Sequence, residues 1–309
     1  MAFHVGYMGY CKVGPAGGSL TTIRITGSSL NPVQNINAPE LVQGEYNKRA
    51  WNYGPIETGG NITGPLGELS SVVLASDAWD RDKTGSGDRL LNEVDVEIFF
   101  YKATGNSGRK FAGCQINSYA LSVTAGDVAT FTADFFGKQV TAIGSSVWNA
   151  TNCEKLITWD RCEADCSAIT GVTNLTNQIQ GWSLTINNNM KRIYNVGQKS
   201  TDVAIDGKLF PVDILAGIRD VTGSLTIYAD DDNKSLLDKL ATPPYFGADA
   251  FADYSASTPV TITFNVNAPD VVIPLKCYFQ RTEINAMTDT QTYTANFTGL
   301  CNDYNTDIT

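Results

Sequence analysis

A segment of eleven residues that occurs twice is the feature that most constrains this chain. Asp127–Gly137 (DVATFTADFFG) returns near the C-terminus as Asp289–Gly299 (DTQTYTANFTG). The Asp, both Thr, the Ala, one Phe and the closing Gly recur in register, and two further positions exchange Phe for Tyr and Asp for Asn. Repetition within a chain is typical of a repeated structural unit. The sequence therefore predicts two copies of one fold in the chain.

Other landmarks recur in the same order along the chain. The offset between copies drifts from 156 at two prolines to 159 at two Thr-Gly pairs and 162 at the last segment, as expected when short insertions separate equivalent strands. The matched landmarks are Leu20–Ile25 with Trp182–Ile186, Gly54–Gly64 with Phe210–Gly223, and Val94–Tyr101 with Val260–Val266.

The pattern of apolar residues predicts a mainly β protein made of two tandem sandwich or barrel domains. Alternation of polar and apolar residues favours strands joined by turns. One short flanking α-helix is expected in each domain, at Glu68–Trp79 and at Asp230–Leu240. The predicted divisions are an N-terminal arm at 1–18, a first domain at 19–140, a linker or insertion at 141–178, and a second domain at 179–309.

Composition excludes several classes of protein. Hydrophobic residues make up 42% of the 309 residues and charged residues 17%, so the chain is not disordered. A net charge of −10 does not attract nucleic acid. The first residues lack the basic and apolar regions of a secretory signal, and no apolar run is as long as a membrane helix. Seven cysteines, an odd number, indicate reduced thiols in a cytoplasm.

The residues that carry chemistry do not form a recognisable constellation. The one histidine, His4, lies near the terminus, so a Ser-His-Asp or Cys-His pair is not expected. Cys153, Cys162 and Cys166 resemble half of a metal site, but a fourth ligand at suitable spacing is missing, and small buried thiols are the favoured interpretation. The sequence therefore predicts no catalytic, cofactor-binding or metal-binding residues and no enzyme.

Three segments resemble one family. Trp182–Asn188, Gly217–Ile227 and Tyr293–Phe297 are similar to strands of bacteriophage tail tube proteins, and the resemblance extends over 179–300 and, more weakly, over 19–140. The resemblance implies a β-sandwich with a flanking helix, whose inward sheets join edge to edge around a ring. It also implies that a chain with two such domains forms trimers with pseudo-sixfold symmetry.

The implied function is that of a structural subunit, stacked in rings around a channel for DNA. Implied partners are further copies of the chain and the tape measure, tail terminator and baseplate proteins. Whether a sheath is also bound is left open. The implied location is the virion tail, assembled in the host cytoplasm. An alternative is a tandem β-sandwich binding module for a host glycan or a virion protein, with Trp51, Tyr53 and Trp79 as a sugar platform.

Two further expectations concern the assembled tube. The arm at 1–18 and the polar loop at 27–52 are long and irregular, so they are expected to make contacts between rings. The channel is expected to be electronegative and to bind DNA weakly. The candidate acidic residues of the lumen are Asp127, Asp134, Glu283 and Asp289.

Overall fold

The described part of the computed structural model is almost entirely antiparallel β-sheet. It covers residues 10–37, 52–68, 74, 91–100, 107–144, 155–167, 175–194, 209–228, 260–266, 271–279 and 292–299. The strands that precede residue 150 are β1 (Tyr10–Pro15), β2 (Thr21–Ile23), β3 (Gly27–Ser28), β4 (Asn31–Asn37), β5 (Asn52–Pro65), β6 (Val94–Phe100), β7 (Ser107–Thr124), β8 (Thr130–Gly137) and β9 (Gln139–Ile143). The strands that follow are β10 (Cys162–Asp165), β11 (Ile179–Asn187), β12 (Lys191–Ile193), β13 (Asp213–Leu215), β14 (Asp220–Tyr228), β15 (Val260–Val266), β16 (Val271–Phe279) and β17 (Thr292–Gly299).

The first half, strands β1 to β9, and the second half, strands β10 to β17, share a strand order over six positions. Strands β2, paired with β1, and β9, paired with β7, have no counterpart among the described strands of the second half. In the first half the order is β1, β6, β7, β8, β5, with β3 and β4 on the far side of β5. In the second half it is β10, β15, β16, β17, β14, β11. Strands β7 and β11 also pair with each other, so the two halves form one continuous sheet. The mainly β prediction is confirmed.

The registers of the two halves match around the repeated segments. Ala133 pairs with Ile62, and Ala295 pairs with Leu225. Counting outward from these alanines, residues 60–63 (GNIT) correspond to 223–226 (GSLT), and residues 27–30 (GSSL) correspond to 181–184 (GWSL). The sequence alignment of the Thr-Gly pairs is therefore wrong by four residues. Likewise, the counterpart of Trp182–Ile186 in the first half is not Leu20–Ile25 but the next strands along the chain, β3 and β4.

Two glycines at corresponding positions explain why the strands approach so closely. A Cβ atom on Gly60 would lie 2.6 Å from the carbonyl oxygen of Ser29, and one on Gly223 would lie 2.3 Å from that of Ser183. Real Cβ atoms do not come this near to backbone atoms, so only glycine fits. Ser29 and Ser183 also correspond in the register.

Aromatic and aliphatic side chains from both halves form one continuous core. In the second half the ring centroids of Trp182 and Phe264 lie 5.1 Å apart, and those of Phe264 and Phe297 lie 5.7 Å apart. In the first half Phe111, Tyr119 and Phe135 are buried and belong to the same core. Burial of such large side chains is the main source of stability in a sheet protein of this kind.

Three segments differ from their predicted roles. Residues 10–15 do not belong to an extended arm, because β1 pairs with β6 and buries Cys11 and Val13. Residues 155–159 of the predicted linker or insertion bond to residues 66–68 and 127–129, and β10, within the same predicted segment, is a strand of the second half because it pairs with β15. Residues 27–37 of the predicted loop are strands paired with β5. What remains of the two predicted ring contacts, 1–9 and 38–51, lies outside the described residues.

Helix is scarce in the described part of the chain. Helix α1 is a single turn at Leu175–Gln178, and Glu68 and Leu74 are helical within the first predicted helix. The second predicted helix, 230–240, lies outside the described residues. Within the described ranges, helices of the length and apolar character needed to cross a membrane are absent.

Candidate functional site: the polar face and the joint between halves

The repeated strands β8 and β17 each divide their side chains between two faces. Phe131, Ala133 and Phe135 of β8 are buried, and Tyr293 and Phe297 of β17 are buried in the same manner. The alternate residues point to the opposite side, because successive side chains of a strand lie on opposite faces. On that side the repeated segments carry threonine, aspartate and asparagine.

These alternate residues belong to a continuous surface, the polar face. Register pairs place its side chains in rows that cross six strands of both halves, and one row contains Thr63, Thr132, Thr185 and Thr298. Six strands at a spacing of about 4.8 Å make the face about 24 Å wide. The polar face consists of Asn61, Thr63, Ser118, Ala120, Ser122, Thr130, Thr132, Asp134, Ser183, Thr185, Asn187, Asp220, Thr222, Ser224, Thr226, Thr294, Asn296 and Thr298.

The polar face carries few charges. Its carboxylates are Asp134, to which the Asn117 side chain donates at 2.9 Å, and Asp220, to which the Asn189 side chain donates at 2.7 Å. The hydroxyls of Ser183 and Ser224 lie 2.8 Å apart and are hydrogen-bonded across the strands. The other polar groups of this face are hydroxyls and amides, which bind water.

The acidic residues predicted to line the lumen do not all lie on the polar face. Asp134 lies on the polar face, whereas Asp127 is exposed in the turn between β7 and β8. Glu283 and Asp289 lie outside the described residues. The hydroxyl side chains of the polar face were not among the predicted lumen residues. The signal that could have found them was the Thr-x-Thr alternation in both repeated segments.

The joint between the halves is a strand pair closed by an asparagine. Register pairs run from Gly181 with Thr124 to Asn187 with Ser118. Beyond them, the buried Asn188 side chain donates to the carbonyl of Ile116 at 2.9 Å and accepts from Nε of Arg219 at 2.9 Å. These bonds fix the point at which the second half leaves β7.

A small ribbon, formed by the pair β12 and β13, extends from the second half over the first. The guanidinium carbon of Arg192 lies 3.8 Å from the centroid of the Phe136 ring, a cation–π contact. Nη2 of Arg192 donates to the carbonyl of Thr58 at 3.0 Å, and Nη1 lies 3.5 Å from Glu57. The hydroxyl of Tyr194 donates to the carbonyl of Ile56 at 3.5 Å. The ribbon thus reaches across β8 to β5.

Lys138 adds a second charged contact beneath the ribbon. Its ammonium lies 2.7 Å from Glu93 and 3.0 Å from Asp213 of β13. Burial alone would lower the pKa of Lys138, but the two carboxylates outweigh burial and raise it. Lys138 lowers the pKa of Asp213 in return. Both groups therefore remain charged at neutral pH, and the ion pair persists.

Within the described ranges, the cysteines do not form a second site. Burial raises the pKa of Cys166 and Cys277 to about 12, so these thiols stay protonated. Cys162 is half-buried. Groups of three or more His, Cys, Asp and Glu side chains suited to a metal are absent from the described ranges. The remaining candidates lie outside those ranges or have side chains that do: His4, Trp51, Tyr53, Trp79 and Cys153.

Comparison with known families identifies the class of protein. The family model described as phage tail tube protein matches residues 6–299. A comparison with curated proteins finds no match. The family is structural, and its match covers nearly all of the sheet that carries the polar face and the joint. The chain belongs to the phage tail tube protein family and is a structural subunit of a tail tube.

Proposed function

We propose that this tail tube subunit is a tandem duplication whose two halves occupy equivalent places in a ring. The supporting observation is the strand order that the two halves share over six positions. The matched registers at Ala133 and Ala295, and the two glycines that each face a serine carbonyl, support it independently. The proposed units are β1 to β9 and β10 to β17.

The ring contains three chains and six units. The pair formed by β7 and β11 joins two units within a chain, and β11 corresponds to β3 and β4 of the first half. Along the described residues of β3 and β4, the edge opposite β5 has no strand on it. An open edge of this kind favours pairing with another chain, and closing the ring removes it. Because each chain supplies two units, six positions require three chains.

The polar face lines the channel through which DNA passes. Duplex DNA carries about one negative charge per 1.7 Å. A basic wall would bind DNA, because attraction to many phosphates would add up. Hydrated hydroxyl groups do not attract the phosphates in this way. On this proposal the wall is wet and carries few charges, with the carboxylates of Asp134 and Asp220 among hydroxyl and amide groups, and the expected electronegative channel stays a prediction. Weak DNA binding is still expected.

Assembly takes place with further copies and with other tail proteins. Rings stack into a tube in the host cytoplasm, and the tube meets the tape measure, the tail terminator and the baseplate. The mature location is the virion tail. These partners follow from the role of a tube subunit, and no described residue is assigned to any one of them.

Cysteine labelling tests whether the polar face lines a lumen. Thr185→Cys is labelled in free subunits and in assembled tubes with a small maleimide and with a maleimide on a bulky polymer. Lys155→Cys, whose side chain is 72% exposed, is the reference for reagent reactivity in free subunits. We expect both reagents to label Thr185→Cys in subunits and only the small one to label it in tubes. Equal labelling of tubes by the bulky reagent would place this face outside.

A further inference from the structure

Two contacts join the halves, and they differ in kind. The first is the joint, where β7 and β11 pair along seven register positions. A pair of strands is a line of contact, and the twist between neighbouring strands varies from about 10° to about 35°. A ring of six units needs the same turn, about 60°, at every joint. The strand pair alone therefore does not set the angle between the halves.

The second contact, made by the ribbon, crosses the joint. The ribbon belongs to the connection between β11 and β14, yet it contacts β8 and β5, which lie beyond β7 on the other side of the joint. The Arg192 guanidinium stacks on Phe136 and donates to the Thr58 carbonyl. Gly59 leaves room for this side chain, because a Cβ there would lie 3.0 Å from Nη2 of Arg192. The ribbon therefore braces the first half from outside the strand pair.

A small apolar cluster, separate from the main core, lies between the ribbon and the first half. Its buried members are Leu91, Met190 and Ile214, and Phe136 and Ala216 are partly buried against them. Two of these five side chains belong to the first half and three to the second. Lifting the ribbon from the first half would expose the cluster to water, so its burial favours the angle at which the halves now lie.

Polar contacts hold the edges of this cluster. The backbone N–H of Met190 donates to the Asn117 side chain of the first half at 2.9 Å. On the other side, the Lys138 ammonium lies 3.0 Å from Asp213 of β13. Hydrogen bonds are directional, so they favour one orientation of the ribbon. Its anchors lie on β5, on β8 and in the residues before β6, and together they fix an angle that one strand pair leaves open.

We propose that the ribbon is a clamp that holds the two halves at the angle required by the ring before the subunit meets another copy. This inference rests on the proposed ring, because the required angle is that of six equivalent units. The free subunit is then a preformed third of the ring. Because the angle is already fixed, association with other copies does not have to restrict it, and rings close at a lower protein concentration.

Variants that open the clamp from either side test it. Arg192→Ala removes the stacked guanidinium and its bonds to β5, and Leu91→Ala weakens the apolar cluster from the first half. Arg192→Lys keeps the charge but lacks the planar fork, so it should fall between Arg192→Ala and the parent. Two controls accompany them: Arg109→Ala removes an arginine that bonds within the first half, and Ile262→Val trims a buried residue of the main core.

Single-molecule energy transfer between dyes on the two halves measures the angle in the free subunit. The dyes are attached through non-natural amino acids at Ser28 of β3 and Asn296 of β17, both exposed and about 29 Å apart across six strand spacings. We expect a narrow distance distribution in the parent and both controls. Arg192→Ala and Leu91→Ala should broaden it at least about twofold, because the twist at the joint is then free to vary. Unlabelled, these two variants should need at least about tenfold more protein for half-maximal ring assembly, a change of about 1.4 kcal/mol.

Thermal melting verifies that each variant is folded, and native mass spectrometry counts the chains in each ring. A parent distribution as broad as that of Arg192→Ala would overturn the clamp, and so would a folded Arg192→Ala variant whose distribution stays narrow. A broadened variant that assembles as the parent does would also overturn the proposal, because ring closure would not need a fixed angle. A parent with a narrow distribution that forms neither rings nor tubes would instead refute the proposed function, whereas the fixed angle within the subunit would stand.

Discussion

Replacing Asn188 with alanine should weaken the joint between the halves, because it removes two buried hydrogen bonds. The side chain is fully buried, donates to the Ile116 carbonyl and accepts from Arg219. A buried group that loses its partner costs about 1–3 kcal/mol, and hydrogen bonds to charged groups are worth about 1.5–3 kcal/mol. Partial rehydration offsets some of this, so we expect the free energy of unfolding to fall by about 2–4 kcal/mol.

Urea unfolding followed by tryptophan fluorescence measures this change, with the slope of the transition compared between variants. Asn61→Ala is the control, because that side chain is exposed on the polar face and an exposed substitution changes stability by about 0.5 kcal/mol or less. Asn188→Asp keeps an acceptor for Arg219 but puts an acceptor against the Ile116 carbonyl, so it should also destabilise the protein. If Asn188→Ala unfolds within about 0.5 kcal/mol of the parent, the hydrogen bonds do not hold the joint.

Three further predictions concern the sheet. Burial alone would raise the pKa of Asp95, but Lys110, 2.8 Å away, and two backbone N–H groups outweigh burial and lower it. The stability from ionised Asp95 is present above its unfolded pKa of about 3.9 and is lost as pH falls through the lower folded value, so Asp95→Asn should flatten the acid limb of a stability–pH curve. Gly223→Ala forces a Cβ against the Ser183 carbonyl and should lower the free energy of unfolding by about 1–3 kcal/mol or more in urea titrations; an unchanged midpoint would contradict the close approach. Val13→Asp buries a carboxylate in β1 and should lower the melting temperature markedly, whereas a dispensable arm would tolerate it.

Alternation of side chains made the strands and their faces predictable, but it could not determine their register. The Thr-Gly alignment drawn from the sequence differs from the observed register by four residues. An even shift leaves every apolar residue on the same face, so the hydrophobic pattern cannot detect it. The register is determined by which strands pair and by the close approach of the backbone at Gly60 and Gly223. These contacts form only when the chain folds.

Elements whose position depends on partners distant in the sequence were also missed. Strand β1 is short and lies in a glycine-rich stretch, so its local sequence resembles an arm; its burial comes from pairing with β6. The local sequence of the ribbon shows little alternation of polar and apolar residues. Its position depends on Arg192, which contacts Phe136 and Thr58 of the first half. The extent of the polar face across six strands could not be predicted from either half alone, because it follows from the joint of β7 with β11.

A reconstruction of assembled tubes by electron cryo-microscopy tests the central claim most directly. The account predicts three chains per ring, six similar units related by pseudo-sixfold symmetry, and Thr132, Thr185 and Thr294 facing the channel. Six chains per ring with the halves at different radii would contradict the equivalence of the halves. A ring in which these threonines face outward would contradict the assignment of the channel wall.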